Sequence, residues 1–152
     1  MKDKKQLQVN AIKNGTVIDH IPSKNLFKVI SILGLDRIDS PITFGANLES
    51  KRLGSKAIVK IADVFFLEEE INKIALVAPE AKLNIIRDYE VVEKKEVKVP
   101  DIIVGIAKCV NPMCVTNNEP VKTKFYVVSK KEVTLKCHYC ERIMDQEHLK
   151  II

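Results

Sequence analysis

Apolar and polar residues alternate at the start of the chain. Leu7, Val9 and Ala11 face one way and Gln8, Asn10 and Ile12 the other, the period-two pattern of a half-buried strand. Gly15 permits a turn or bulge, and the β-branched run Thr16 to Ile21 resumes strand character. The pattern then changes period. Pro22 and Ser23 open a helix whose apolar residues Leu26, Phe27, Ile30 and Leu33 recur at helical spacing, with Gly34 as the stop. Two strand-like runs follow, Ile42 to Leu48 and Ala57 to Ile61, joined by the polar hairpin loop Glu49–Lys56. A second helix is predicted from Glu68 to Val77, because Glu68, Glu69 and Glu70 suit the positive end of a helix dipole and Pro79 closes it. Lys82 to Ile86 and Tyr89 to Val92 complete the series as strands parted by Arg87–Asp88.

The order over the first ~97 residues is β-α-β-β-α-β with an extra strand, the ferredoxin-like, split βαβ arrangement. The charge-rich run Glu93 to Val99, ended by Pro100, reads as a boundary. The predicted organisation is a domain at 1–97, a linker at 98–101 and a second domain at 102–152. That second stretch is too short for a self-sufficient hydrophobic core and needs a staple. It carries strand-like Lys124–Ser129 and Val133–Leu135, so the fold class is α+β, with a small all-β domain after the ferredoxin-like one.

Composition adds little until charge is located. The chain has 46% hydrophobic and 30% charged residues and no Trp, so aliphatic side chains fill its core. The net charge of +5 is spread over both parts rather than gathered in an arm, unlike the concentrated basic face of a nucleic-acid binder. Mild basicity suits a site for small anions. No run approaches the ~18 apolar residues of a membrane span, and Met1 to Gln8 lacks the apolar stretch of a signal peptide. The chain is expected in the cytoplasm, with reduced cysteines.

All four cysteines fall in the last third: Cys109 and Cys114 as C-x4-C, then 22 residues, then Cys137 and Cys140 as C-x2-C. Each pair fits a tight turn, and two such turns make a tetrahedral sulfur cage suited to one structural zinc ion. Iron accepts the same four sulfurs, and two disulfides would require secretion. A catalytic zinc keeps an open position, whereas four thiolates close the shell, so His138 and His148 read as surface residues.

Several strings carry a resemblance: Leu7-Gln8-Val9, Ala11-Ile12-Lys13, and above all Gly15-Thr16-Val17-Ile18-Asp19-His20-Ile21-Pro22. Ile42-Thr43, Lys60-Ile61, Ala78-Pro79-Glu80-Ala81, Asn84-Ile85-Ile86 and Tyr89-Glu90-Val91-Val92 continue it, and the spaced cysteines end it. Together they resemble the aspartate carbamoyltransferase regulatory chain over nearly the whole sequence. The resemblance implies a subunit without catalysis of its own. Regulatory dimers, their N-terminal sheets paired, would bridge catalytic trimers that condense carbamoyl phosphate with aspartate in pyrimidine synthesis. The first domain would bind CTP, UTP or ATP, and the zinc domain would dock on the catalytic chain.

By matching position, the resemblance implies an effector site of Ala11, Ile12, Val17, Asp19, His20, Lys60, Asn84, Ile86, Tyr89, Val91 and Lys94. The chemistry suits the role. Lys94 and His20 supply cations for a triphosphate, and Asp19 and Lys60 an acceptor and a donor for ribose hydroxyls. The backbone at Ile12 and Tyr89 would read base edges, while Ile86 and Val91 cover the ring. The chain departs from the family at Asn10, commonly acidic, and at Met113, often a second asparagine. No G-x-x-x-x-G-K-[ST] loop is present, so a nucleotide would rest on side chains and strand edges. The alternative is a zinc-ribbon nucleic-acid binder using Lys122, Lys124, Phe125, Tyr126, Lys130 and Lys131. An independent enzyme is less well supported, because Asp19 with His20 is a thin basis for acid–base chemistry.

Overall fold

The computed structural model describes residues 11–51 and 53–152. The chain divides after Val97 into two compact units. The first contains strands β1 (Gly15–Pro22), β2 (Ile42–Ser50), β3 (Gly54–Ala62), β4 (Lys82–Arg87) and β5 (Glu90–Glu96). Helix α1 (Leu26–Ile32), entered through the 3-10 turn Ser23–Asn25, lies between β1 and β2 in sequence, and α2 (Glu68–Asn72) between β3 and β4. The strands form one antiparallel sheet in the order β2-β3-β1-β4-β5. This is the ferredoxin-like order with β5 added at one edge.

Central β1 sorts the side chains. Thr16 pairs with Ile61, and Ile18 with Val59 and Leu83, so these five residues share one face, and all are buried. Leu26 and Val29 of α1 and Ile71 of α2 are buried with them, as are Ile74 and Leu76 of the 3-10 turn that follows α2. Two polar ties, one part-buried and one buried, hold the segments that flank the helices. Thr16 Oγ1 donates to the Val64 carbonyl at 2.7 Å, and Asn25 Nδ2 to the Val77 carbonyl at 2.7 Å. Each satisfies a backbone acceptor that would otherwise be costly to bury.

Local chemistry explains where the elements start and stop, and where they differ from the sequence pattern. Gly34 takes the left-handed conformation (φ 64°) after α1. At α2, Glu70 reaches back to accept the Leu67 amide at 3.1 Å, but the α-helical part ends at Asn72 and Lys73–Leu76 continues as 3-10 turn. The β2–β3 hairpin is tighter than Glu49–Lys56, with strands running to Ser50 and from Gly54, because cross-strand hydrogen bonds extend into polar sequence. Tyr89, expected in a strand, sits with Asp88 in a two-residue turn; both have positive φ (68° and 51°). Lys13–Asn14 braces that turn: the Tyr89 amide donates to the Lys13 carbonyl at 2.9 Å, and the Asp88 amide to Asn14 Oδ1 at 3.1 Å. The charged residues Glu93–Glu96 extend β5 rather than ending it. Of the expected strand at Leu7–Ile12, Leu7–Asn10 lie outside the described residues, and Ala11 and Ile12 are not in a strand.

The second unit is small and mostly β. Strands β6 (Ile102–Val104), β8 (Lys124–Ser129), β9 (Thr134–Cys137) and β10 (Ile143–Met144) form an antiparallel sheet in the order β10-β9-β8-β6. A second pair joins β7 (Ala107–Lys108) to β11 (Lys150–Ile151), and a short helix α3 (Val115–Asn118) follows Cys114. Its core holds few large side chains, chiefly Phe125, Ile103 and Leu135, with the cysteines beside them. Val133, expected in a strand, has φ 52° and sits in the turn before β9. Among the described residues no helix is long and apolar enough to cross a membrane.

Gly15 has φ 139°, and a Cβ there would collide with the Ile61 carbonyl oxygen in β3. Gly15→Ala is expected to destabilise the first unit by about 2–4 kcal/mol in denaturant titration, a loss under 0.5 contradicting the clash. At the chain's far end, Asp145 Oδ1 accepts from the His148 amide at 3.0 Å and lies 2.6 Å from His148 Nδ1. The Asp145 side chain raises the His148 pKa, and the His148 side-chain and backbone bonds lower that of Asp145. The histidine's contribution to stability is full below its ordinary range and fades as pH rises through its raised value. The carboxylate's is full above its ordinary range and fades as pH falls through its lowered one. Following His148 by NMR, Asp145→Asn is expected to lower its midpoint; an unmoved midpoint would mean that the pair does not form.

Candidate functional site

Two loops gather the cysteines. Cys109 follows β7, and Cys114 precedes α3 with its amide donating to the Asn111 carbonyl at 3.0 Å. Two asparagines of α3 clamp this loop. Asn117 Nδ2 donates to the Cys109 and Asn111 carbonyls at 3.0 and 2.7 Å, and Asn118 Nδ2 to those of Pro112 and Cys114 at 3.0 and 2.9 Å. Cys137 ends β9, and the Glu141 amide closes the second loop on the Cys137 carbonyl at 3.0 Å. Glu141 takes the left-handed conformation that so tight a turn requires (φ 62°).

The four sulfurs lie within 4.8 Å of one another, Cys109 to Cys140 at 3.6 Å and Cys114 to Cys137 at 3.7 Å. A tetrahedron with Zn–S bonds of about 2.3 Å has edges of about 3.8 Å, so the cage already has the size of a zinc site. All four cysteines are free of disulfides. Burial pushes Cys109 up to about 12, while burial at Cys140 is outweighed by the Arg142 amide and the Asn111 side chain, which bring it down to about 7. Burial also raises Cys137; at Cys114 it is outweighed by hydrogen bonds from Thr116, the hydroxyl at 3.2 Å. Thiols so crowded and so unequal become four thiolates together when a cation neutralises them. The donor set is complete with sulfur, so the metal holds structure and has no open position for substrate. Neither histidine belongs to the cage: His138 Nδ1 lies 2.7 Å from the exposed Tyr126 hydroxyl, and His148 pairs with Asp145.

The second cluster lies on the face of the first unit's sheet opposite Thr16 and Ile18. Register aligns Lys60 (β3), Val17 (β1), Asn84 (β4) and Lys94 (β5) in one row across four strands. Two residues along, Asp19, Lys82 and Glu96 form the next row, and on the other side Gly15, Ile86 and Val91 form a third. A depression of about 510 Å³ is lined by Asp19, His20, Lys82, Asn84, Lys94, Lys95 and Glu96. A bulge in β1 between Ile18 and Ile21 puts His20 in the left-handed conformation (φ 61°) beside it. The His20 amide donates to Asp19 Oδ1 at 2.6 Å, and Lys56 Nζ lies 3.0 Å from the same carboxyl oxygen. His20 Nδ1, 3.7 Å from Asp19 Oδ2, has no hydrogen-bond partner among the described residues. Burial lowers the Lys60 pKa against the opposing pull of Asp19.

The sequence-predicted effector residues therefore fall on one strip. Asp19, His20, Asn84 and Lys94 line the depression, with Lys60 and Val17 in the central row and Ile86 and Val91 beyond it. Exposed Tyr89 occupies the β4–β5 turn at the strip's end, braced by Lys13, with Ile12 half-buried and Ala11 exposed just before it in sequence. Lys56, Lys82, Lys95 and Glu96 were missed. Lys82 and Glu96 were findable, because each stands two residues from a chosen neighbour and so on the same face. Phe125, one of the aromatics a nucleic-acid surface would need, is fully buried.

Comparison with known proteins supplies a family for both clusters. Residues 7–98 match the family model for the allosteric domain of the aspartate carbamoyltransferase regulatory chain, and residues 101–150 that for its metal binding domain. The chain is 60% identical to the aspartate carbamoyltransferase regulatory chain of Bacteroides fragilis over 151 residues, 99% of each chain. It is 56% identical to that of Pyrococcus horikoshii over 146 residues, 95% of this chain and 96% of that one.

Removing the metal from the intact chain is expected to unfold the second unit, because structural zinc contributes about 10–16 kcal/mol of binding free energy to folding in small sites. Hydrogen exchange would show β8 and β9 losing protection while β1 and β3 keep theirs. Unchanged protection after verified metal removal would contradict a structural role.

Proposed function

The chain belongs to the aspartate carbamoyltransferase regulatory chain family, and from that premise we propose that its first unit binds CTP, UTP or ATP on the open face of the sheet. It is a non-catalytic regulatory subunit in pyrimidine biosynthesis, and its partner is a catalytic chain. The observation that best supports a nucleotide site is the row Lys60–Val17–Asn84–Lys94 beside Asp19 and His20. A nucleotide needs cations for phosphate, paired donor and acceptor groups for ribose, and apolar cover for the base. Lys94 and His20 serve the phosphates, Asp19 and Lys60 the ribose. Ile86 and Val91 cover the base, whose edges meet the backbone near Ile12 and Tyr89. Ala11, Val17 and Asn84 complete the floor.

The metal-bearing unit, 102–152, docks on the catalytic chain, and residues 98–101 link it to the allosteric unit, 1–97. Cys109, Cys114, Cys137 and Cys140 hold one zinc ion there, and Met113, strongly exposed on the Cys109–Cys114 loop, adds apolar contact area to that interface. Two copies pair through their sheets to form the regulatory dimer. Edge strand β2 suits this better than β5, for exposed Phe44 stacks edge-to-face on exposed Phe27 at 6.1 Å, whereas β5 carries Glu93, Lys94, Lys95 and Glu96. Four reduced cysteines on one metal suit the cytoplasm. Control arises by coupling: a nucleotide favours whichever quaternary state binds it better, with coupling energies typically ~1–3 kcal/mol.

Calorimetric titration of the zinc-loaded chain with CTP and ATP tests the reading. Lys94, exposed and with no carboxylate partner among the described residues, is replaceable without loss of structure. Lys94→Ala is expected to weaken CTP and ATP binding roughly tenfold, leaving zinc content and assembly with catalytic chains intact. Unchanged affinity would remove Lys94 from the site.

A further inference from the structure

We propose that Lys82 is a phosphate-binding residue that makes the open-face depression select polyphosphate over monophosphate nucleotides, with Glu96 as the counter-ion that phosphate displaces. The inference rests on the nucleotide reading above and extends it to the length of the phosphate chain.

Register carries the argument. Lys82 stands two residues before Asn84 on β4, and Glu96 two after Lys94 on β5; the two pair directly across the strands. All four line the same depression. Lys82 thus lies one row beyond Lys94, about 7 Å along the strands. A single phosphate held at Lys94 does not fill that interval, whereas a chain of phosphates extends across it. The half-buried Asp19 occupies the same row on β1, on the other side of Lys82.

The charges in this row are unequally committed. Lys56 Nζ holds the Asp19 carboxylate at 3.0 Å, so that charge is already answered from β3. Lys82 Nζ meets Glu96 Oε1 at 3.9 Å, and the Glu96 side chain is 77% exposed. So long and wet a pair contributes little to stability and is easily exchanged. A phosphate oxygen is a better partner for an ammonium group, because charge-assisted hydrogen bonds to it are shorter and stronger. Glu96 then becomes a source of repulsion, so its removal should favour longer phosphate chains. As a structural cross-strand pair alone, Lys82 and Glu96 would affect all nucleotides alike.

The test compares CTP with CMP on the full zinc-loaded chain, by calorimetry, for wild type, Lys82→Gln and Glu96→Gln. Lys82→Gln is expected to weaken CTP roughly three- to tenfold and CMP less than twofold, and Glu96→Gln to tighten CTP a few-fold. Lys82→Arg, which keeps the charge, should retain most of the CTP preference. Equal losses on both ligands in Lys82→Gln, or an unchanged CTP-to-CMP ratio in both variants, would overturn the proposal while wild-type CTP binding upheld the nucleotide reading. Failure of the wild-type chain to bind either ligand would overturn both. Circular dichroism and zinc content of each variant separate lost contacts from lost folding, and Glu96→Gln carries the test if Lys82→Gln misfolds.

Discussion

The hydrogen-bonded register of β1 is the constraint on which the first unit depends. This strand lies between β3 and β4, and side chains alternate across its plane, so one alignment sends Thr16 and Ile18 to the helix-covered face and Val17 and Asp19 to the opposite one. A slip of one residue would exchange the two sets, exposing the core and burying the charges. Gly15 lets β1 approach the Ile61 carbonyl closely, and the bulge after Ile18 adds one residue that turns His20 to the edge of the depression. The same backbone bonds therefore position the hydrophobic core and the polar row above it. Stability and recognition share one ladder.

The second unit depends on a different interaction. Its few large buried side chains cannot supply the core that a short chain lacks, and the sulfur cage takes that part. The asparagines of α3 hold the first cysteine loop by its carbonyls, leaving the sulfurs turned to a common centre. The loop that carries Met113 is thus held at both ends by cage cysteines and along its length by the two asparagines, though Met113 is no ligand. A loop clamped this way suits a protein interface, since little conformational entropy remains to be lost on docking.

Division of labour follows from these two designs. The polar sheet face gathers cations by strand register and, among the described residues, offers neither a closed metal shell nor a nucleophile with its base. The metal centre offers four saturated sulfur ligands and no open position. Binding and assembly are within the reach of such sites. A regulatory subunit needs no more, because it acts by shifting the populations of states that another chain catalyses from.

Much of this was legible in the sequence, for physical reasons that can be named. The β-branched run Thr16 to Ile21 identified β1, the three glutamates the start of α2, and the spacing of Cys109, Cys114, Cys137 and Cys140 the metal site. These are local signals: each run, and each cysteine pair, is set by residues within a turn or two of one another. The shortened helix after Asn72, the tight β2–β3 turn, and Tyr89 in a turn rather than a strand were not legible. For Tyr89 the deciding partner is distant in sequence, the Lys13 carbonyl that receives its amide. The candidate site divides in the same way. The family resemblance that the sequence carries named the residues expected to serve a nucleotide, and cysteine spacing by itself named the four sulfurs of the cage. Tertiary structure alone decided that Lys60, Asn84 and Lys94 share a row and that Lys82 and Glu96 stand opposite each other in the next one, because cross-strand register arises from hydrogen bonds between strands that the linear sequence does not align.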